Sequence, residues 1–257
     1  MIRFMLPLVL ICSLASAAPP LKIVQPRNEA HLGAMIRSYG GTFGVYGENA
    51  GKTVVLEKPY PPELLSVLKV SRVKQVVAHG INDNSFKYFA ELPYLQDLSV
   101  QPHFDNINET PNKITNEALK TIQNARLRQL QVAWSEIDDD GLKYLSGQTK
   151  LEQLDLHGAE KVTDEGVKHL AGCKSLRRIL LYGTRASGIG FPASVEEIVL
   201  TSPTVEGLTY LKQNCPNLKE IDIHTALEPE NPSLTPEVIA VLKKDFTKTK
   251  IKWPTPR

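Results

Sequence analysis

A six-residue pattern recurs along the chain with apolar residues at its first, fourth and sixth positions. Val73, Val76 and Ala78 form one copy, and Leu95, Leu98 and Val100 the next. Further copies begin at Leu127, Leu151, Leu176, Val195 and Leu218, so successive starts lie 22, 32, 24, 25, 19 and 23 residues apart. A weaker copy at 52–56 sits one period earlier. In an extended chain the fourth and sixth positions share a face, so each copy predicts a short strand with one buried side. The third, fifth and seventh positions then share the opposite face.

Behind most strands comes a second pattern at helical spacing. It reads Ile81/Phe86/Phe89, Ile114/Leu119/Ile122, Ile137/Leu142/Leu145, Val162/Val167/Leu170 and Leu234/Ile239/Leu242. A polar residue follows the first apolar one each time: Asn82, Thr115, Asp138, Thr163 and Thr235. These residue types accept the orphan backbone N–H groups of a helix start. The run Asp138-Asp139-Asp140-Gly141 is therefore read as a helix N-cap followed by an acidic first turn. Pro236 at the equivalent first helical position supports that register. A calcium loop needs ligands at alternate positions and a distant glutamate, which the following leucines and tyrosine do not offer. One strand–helix unit cannot bury its own apolar face, so about 24-residue units must stack. The fold class expected is an α/β leucine-rich-repeat solenoid, with a parallel sheet on the concave face and short helices on the convex one.

The string 214–223, Asn-Cys-Pro-Asn-Leu-Lys-Glu-Ile-Asp-Ile, resembles the cysteine-containing leucine-rich repeats best known from F-box proteins, the ribonuclease-inhibitor-like kind. So does Val162-Thr163-Asp164-Glu165-Gly166-Val167, followed by Leu170-Ala171-Gly172-Cys173-Lys174-Ser175-Leu176. Similar repeats occur in exported bacterial proteins, often after a helix and a glycine pair like Gly40-Gly41. The resemblance spans roughly residues 50–253 and implies a scaffold that binds partners rather than catalyses. No F-box precedes the repeats, so a link to ubiquitin ligases does not carry over. The stretch 183–194 is too rich in glycine and proline to hold a helix.

The first residues carry Arg3 as their one charge, an apolar run over 4–14 and small residues at 15–17. This reads as a secretory signal cut near Ala17, too short for a membrane span. The expected organisation is signal peptide 1–17, capping segment with a helix 18–49, repeats 50–235, and C-terminal cap and tail 236–257. The mature chain is then exported, periplasmic or extracellular, with no membrane span. Loss of Arg3 lowers the formal net charge from +2 to +1, which leaves no basic excess for nucleic acid. Asn108-Glu109-Thr110 is a glycosylation acceptor by sequence.

Cys173 and Cys215 each precede their strand by three residues, with one strand between. Two strand steps of about 4.8 Å exceed the roughly 7 Å reach of a disulfide, so both read as buried free thiols. Gly47 to Thr53 imitates a phosphate loop, but its glycines are too close and it leads into a strand. The outward rows carry two Asp-x-His pairs, Asp155/His157 and Asp222/His224, about 14 Å apart by strand spacing. They motivate a rival reading as a hydrolase or metal-dependent enzyme. A structural envelope or matrix component is a third. No serine or cysteine nucleophile lies beside either pair on this grid, so no catalytic residue, metal or cofactor is assigned. The leading expectation is an unidentified protein or peptide partner on the concave face. Its residues are Gln129, Gln131, Trp134, Gln153, Asp155, His157, Arg178, Leu180 and Tyr182, an arginine and aromatics within a polar field. The loops 101–113 and 183–194 are the other candidate surfaces.

Overall fold

The structure is a computed structural model that describes residues 28–38, 42–46, 51–56, 64, 67–69, 71–101, 114–223 and 235–252. Signal-peptide residues, Asn108, His224 and most of the 101–113 loop lie outside them. Among the described residues ten strands form one sheet in chain order: β1 (Thr42–Tyr46), β2 (Gly51–Leu56), β3 (Gln75–His79), β4 (Asp97–Gln101) and β5 (Gln129–Val132) come first. The rest are β6 (Gln153–Asp155), β7 (Arg178–Leu181), β8 (Glu197–Leu200), β9 (Glu220–Ile223) and β10 (Lys250–Lys252). β1 pairs antiparallel with β2, a strand the repeat pattern does not predict. From β2 to β10 every pairing is parallel.

Register is constant across the repeats. Gln75, Asp97, Gln129, Gln153, Arg178, Glu197 and Glu220 align in one row, and Val77, Ser99, Gln131, Asp155, Leu180, Val199 and Asp222 in the next. Differences in repeat length are absorbed outside the strands. The fourth and sixth positions, such as Leu130 and Val132 or Leu154 and Leu156, are buried. Burying each such side chain contributes about 1.5–3 kcal/mol, and the stacked repeats share one continuous core.

α1 (Glu29–Ser38) packs against β1, and the convex side carries α2 (Asp83–Ala90), α3 (Asn116–Ile122), α4 (Asp139–Leu142), α5 (Asp164–Lys168), α6 (Val205–Asn214) and α7 (Pro236–Asp245). Asn82, Thr115, Asp138, Thr163, Thr204 and Thr235 all cap a helix with a side-chain oxygen. α4 and α5 run directly into 3₁₀ turns, Lys143–Leu145 and His169–Gly172. No helix forms over 183–196. Ala186, Phe191 and Val195 fill the core there instead.

The first helical residue of one repeat also clamps the cap of the next. Asp83 accepts from the Thr115 N–H at 2.8 Å and hydroxyl at 2.7 Å; Asp139 accepts from both groups of Thr163 at 2.7 Å. Asp164 holds the helix-free segment in the same way, through the backbone N–H groups of Ser187, Gly188 and Ile189. Where the cap is itself acidic, at Asp138, the clamp is Asn116. Its amide donates to Asp138 Oδ1 at 2.7 Å while its oxygen accepts the Asp138 N–H at 3.1 Å. Thus the three aspartates do three jobs: Asp138 caps, Asp139 ties on the next repeat, and Asp140 pairs with Lys143. Gly141 and Gly166 give the clamps room. A Cβ at Gly166 would lie 2.4 Å from Asp139 Oδ1, and one at Gly141 2.3 Å from Asn116 Oδ1.

Candidate binding surface on the concave sheet

The outward strand positions line a groove of about 390 Å³ across β3 to β7. Its floor holds Gln75, Asp97, Gln129, Gln131, Gln153 and Asp155. One hydrogen-bond chain runs across β4, β5 and β6. Ser99 Oγ donates to Gln131 Oε1 at 2.6 Å, and Gln131 Nε2 donates to Asp155 Oδ2 at 3.0 Å. Gln101 Nε2 also donates to Gln131 Oε1, at 3.3 Å. Asp155 Oδ1 accepts from the His157 N–H at 3.0 Å and contacts His157 Nδ1 at 2.9 Å. The constant register brings these side chains together, because residues on adjacent parallel strands stand about 4.8 Å apart. Their mutual bonds leave fewer rotamers to freeze when a ligand arrives.

The structure joins the site candidates in two groups. Gln129, Gln131, Gln153, Asp155, Arg178 and Leu180 line the groove. Trp134, His157 and Tyr182 do not line it. Trp134 is 42% exposed and its ring meets that of His157 edge to face, with centroids 5.8 Å apart. The groove also extends further toward β3 than the selected residues suggest, taking in Gln75, Val77, Asp97, Ser99 and Gln101. Asp97 and Ser99 were visible as outward positions, yet nothing in the sequence ranked them above their neighbours. Ala133 falls in an outward row by sequence but is buried. The strand ends at Val132 and the chain turns there, carrying Ala133 inward.

That turn explains Trp134. Gly80, Gly158 and Gly183 occupy the equivalent step with φ of 62°, 75° and 72°, and Trp134 adopts φ 53°. The left-handed backbone aims the Trp134 N–H at the His157 carbonyl, 2.7 Å away, as the Gly158 N–H reaches Tyr182 at 2.8 Å. A residue with a Cβ holds this conformation at a cost of about 1–2 kcal/mol. A Cβ at Gly158 would lie 2.6 Å from the indole, so the ring lies directly over that glycine.

Electrostatically the groove is acidic. Asp97 is half-buried, and desolvation holds its carboxyl above the ordinary range. Its Oδ1 is buried without a hydrogen-bond partner. Arg128 is engaged by Glu152 through two bonds of 3.0 and 2.8 Å, which lower the Glu152 carboxyl and raise the guanidinium. Arg178 lies 3.3 Å from Glu197. The one groove hydroxyl in the chain of bonds, Ser99, donates to an amide rather than to a base. Cys173 and Cys215 are free and buried beneath the sheet, bonded to the carbonyls of Leu145 and of Phe191 and Pro192. Burial pushes both thiols up to about 11. Among the described residues no group of three or more His, Cys, Asp or Glu is placed to hold a metal ion. Of the second Asp-x-His pair, Asp222 contacts Lys252 at 3.9 Å and His224 lies outside the described residues.

The in-register parallel sheet and the recurring capped helices define an α/β leucine-rich-repeat solenoid. The family described as Leucine Rich repeat matches residues 123–146 and again 147–171, the units built on β5 and β6. The two matched units are leucine-rich repeats, whose solenoids offer extended concave surfaces for protein binding. No curated protein matches the sequence. Among solved structures, a chain of the yeast Rad7 and Elc1 complex superposes with a TM-score of 0.50 at 16% identity, covering 67% of this chain. This chain spans 49% of that one, about half its length. An internalin (inlF) from Listeria monocytogenes gives a TM-score of 0.49 at 16% identity over 83% of this chain and 67% of its own. At such identity the likeness to the yeast chain speaks to fold alone. No helix among the described residues is long and apolar enough to cross a membrane.

Proposed function

We propose that the protein is an exported, non-catalytic binding module that holds a protein or peptide partner on the concave face between Gln129 and Tyr182. The observation that carries this reading is the groove floor, where Ser99, Gln131 and Asp155 are already ordered by mutual hydrogen bonds. Trp134 adds an exposed aromatic beside that floor, held at a backbone angle that its equivalents reach with glycine. Aromatic anchors next to a polar field suit protein contact. Export rests on the apolar N-terminal run and its small residues at 15–17.

Replacing Gln131, Asp155 and Tyr182 together by alanine should abolish capture of the native partner from the exported fraction while leaving the thermal unfolding midpoint near that of the wild type. These side chains face outward and contribute little to the core. Capture by the folded triple variant at wild-type level would move the binding surface to the loops. Mass measurement of the N-terminus of exported protein tests the cut near Ala17.

A further inference from the structure

The concave groove is charged unevenly. Its lining includes two carboxylates, Asp97 and Asp155, against one guanidinium, Arg178, whose side chain is turned to Glu197 at 3.3 Å. The nearby Arg128 is taken up by its two bonds to Glu152. Asp155 is satisfied by an amide, a backbone N–H and an imidazole, with no lysine or arginine among these partners. Asp97 lines the groove, and its Oδ1 is buried without a hydrogen-bond partner. Between the two carboxylates lie the side-chain amides of Gln129, Gln131 and Gln153, which can donate to and accept from a peptide backbone. β4 and β6 are two strand steps apart, about 9–10 Å, and Asp97 aligns with Gln153, two residues before Asp155, so the two carboxylates lie on either side of a cation rather than bonding it together.

We infer that this groove receives the cationic side chain of a lysine or arginine carried on an extended peptide segment, with Asp97 and Asp155 flanking it from either side and the glutamines gripping the neighbouring backbone. Arg128 and Lys74 act on Asp97, yet burial outweighs them and raises its carboxyl; such a half-buried carboxylate gains more from an incoming cation than a solvated one does, because water screens the attraction less. The hydrogen bond formed is charge-assisted, the stronger kind. The inference rests on the concave-face reading and names the chemistry of the occupant.

The test uses three blocked pentapeptides, Ac-Ala-Gln-Lys-Gln-Ala-NH2 and its central Gln and Glu counterparts, titrated into ¹⁵N-labelled mature protein. The lysine peptide should give saturable shifts at backbone amides of 97–101, 129–132 and 153–155. It should bind about tenfold or more tightly than the glutamine peptide, and the glutamate peptide should give none. Asp97→Asn and Asp155→Asn should each bring the lysine peptide down to the glutamine level, and added salt should weaken it. Equal binding of the lysine and glutamate peptides, or shifts confined to other residues, overturns the inference, as does the absence of any shift. If the Gln131/Asp155/Tyr182 variant loses the native partner but Asp97→Asn keeps it and the lysine peptide does not bind, the cation inference fails and the concave-face reading stands. If the triple variant keeps its partner, the concave-face reading itself fails.

Discussion

Replacing Asn116 by aspartate would set a second carboxylate against Asp138, where the amide now donates at 2.7 Å. Two like charges with centres near 4 Å repel by about 4 kcal/mol at the effective dielectric of a protein surface. The lost hydrogen bond to a charged acceptor adds about 1.5–3 kcal/mol. Proton uptake sets the ceiling: holding one carboxyl protonated at pH 7 costs about 4 kcal/mol, at 1.36 kcal/mol per unit of pKa. Both residues are half-exposed, so solvent reduces the sum, and Asn116→Asp should lose about 2–4 kcal/mol of stability at pH 7. Near pH 4 a shared proton restores the bond and the penalty should shrink below about 1 kcal/mol. Adding Asp138→Thr should rescue the variant at neutral pH, because it recreates the Asp–Thr clamps seen at Asp83/Thr115 and Asp139/Thr163. Urea unfolding of the four proteins forms a double-mutant cycle, with an expected coupling above about 1.5 kcal/mol in favour of the double variant. Additivity within about 0.5 kcal/mol would refute the clamp as an energetic link between repeats.

Gly166→Ala should destabilise by about 1–3 kcal/mol, since its Cβ would press on Asp139, whereas Gly147→Ala meets nothing within 4 Å and should stabilise by about 0.4–1 kcal/mol; thermal melts compare them. Asp97→Asn should be as stable as the wild type or more so at pH 7, because burial raises the Asp97 carboxyl and its charge opposes folding. The stability this group contributes is complete below its unfolded pKa and lost as pH rises through its raised folded value. The variant's advantage should therefore fade on acidification through that window, with Arg128, Glu152 and Lys74 as the other charges acting on Asp97. The thiols of Cys173 and Cys215 should react slowly with a maleimide at pH 8 in the native protein and rapidly in denaturant, as expected for buried groups pushed up to about 11. Rapid labelling of the native protein would contradict their burial.

Strand positions four and six, the helix caps and the solenoid class were legible from the sequence because each depends on local period and residue type. Asp138 as a cap followed from its place after Ile137. Other features were hidden because they depend on the folded surroundings. Asp139 looked like a dipole-favouring first-turn residue, but its carboxylate reaches 24 residues on to Thr163. Trp134 looked like a rim aromatic; it stands seven residues after its strand start, as Gly80, Gly158 and Gly183 do, but its left-handed backbone appeared only in the structure. The antiparallel β1 carries no copy of the repeat, so periodicity could not find it. Among the groove residues, Asp97 looked like any other outward strand position, since burial of its Oδ1 depends on surroundings built by several repeats.

The sequence alone determined the period, and with it the stacked parallel strands, because apolar side chains at fixed intervals have one common way to leave water. Tertiary structure decided which outward side chains act together. Constant register aligned Ser99, Gln131 and Asp155, left Asp97 Oδ1 without a partner, and set the Trp134 ring against Gly158. Such contacts join residues 24 or 32 positions apart, and their distances exist only after the repeats have stacked.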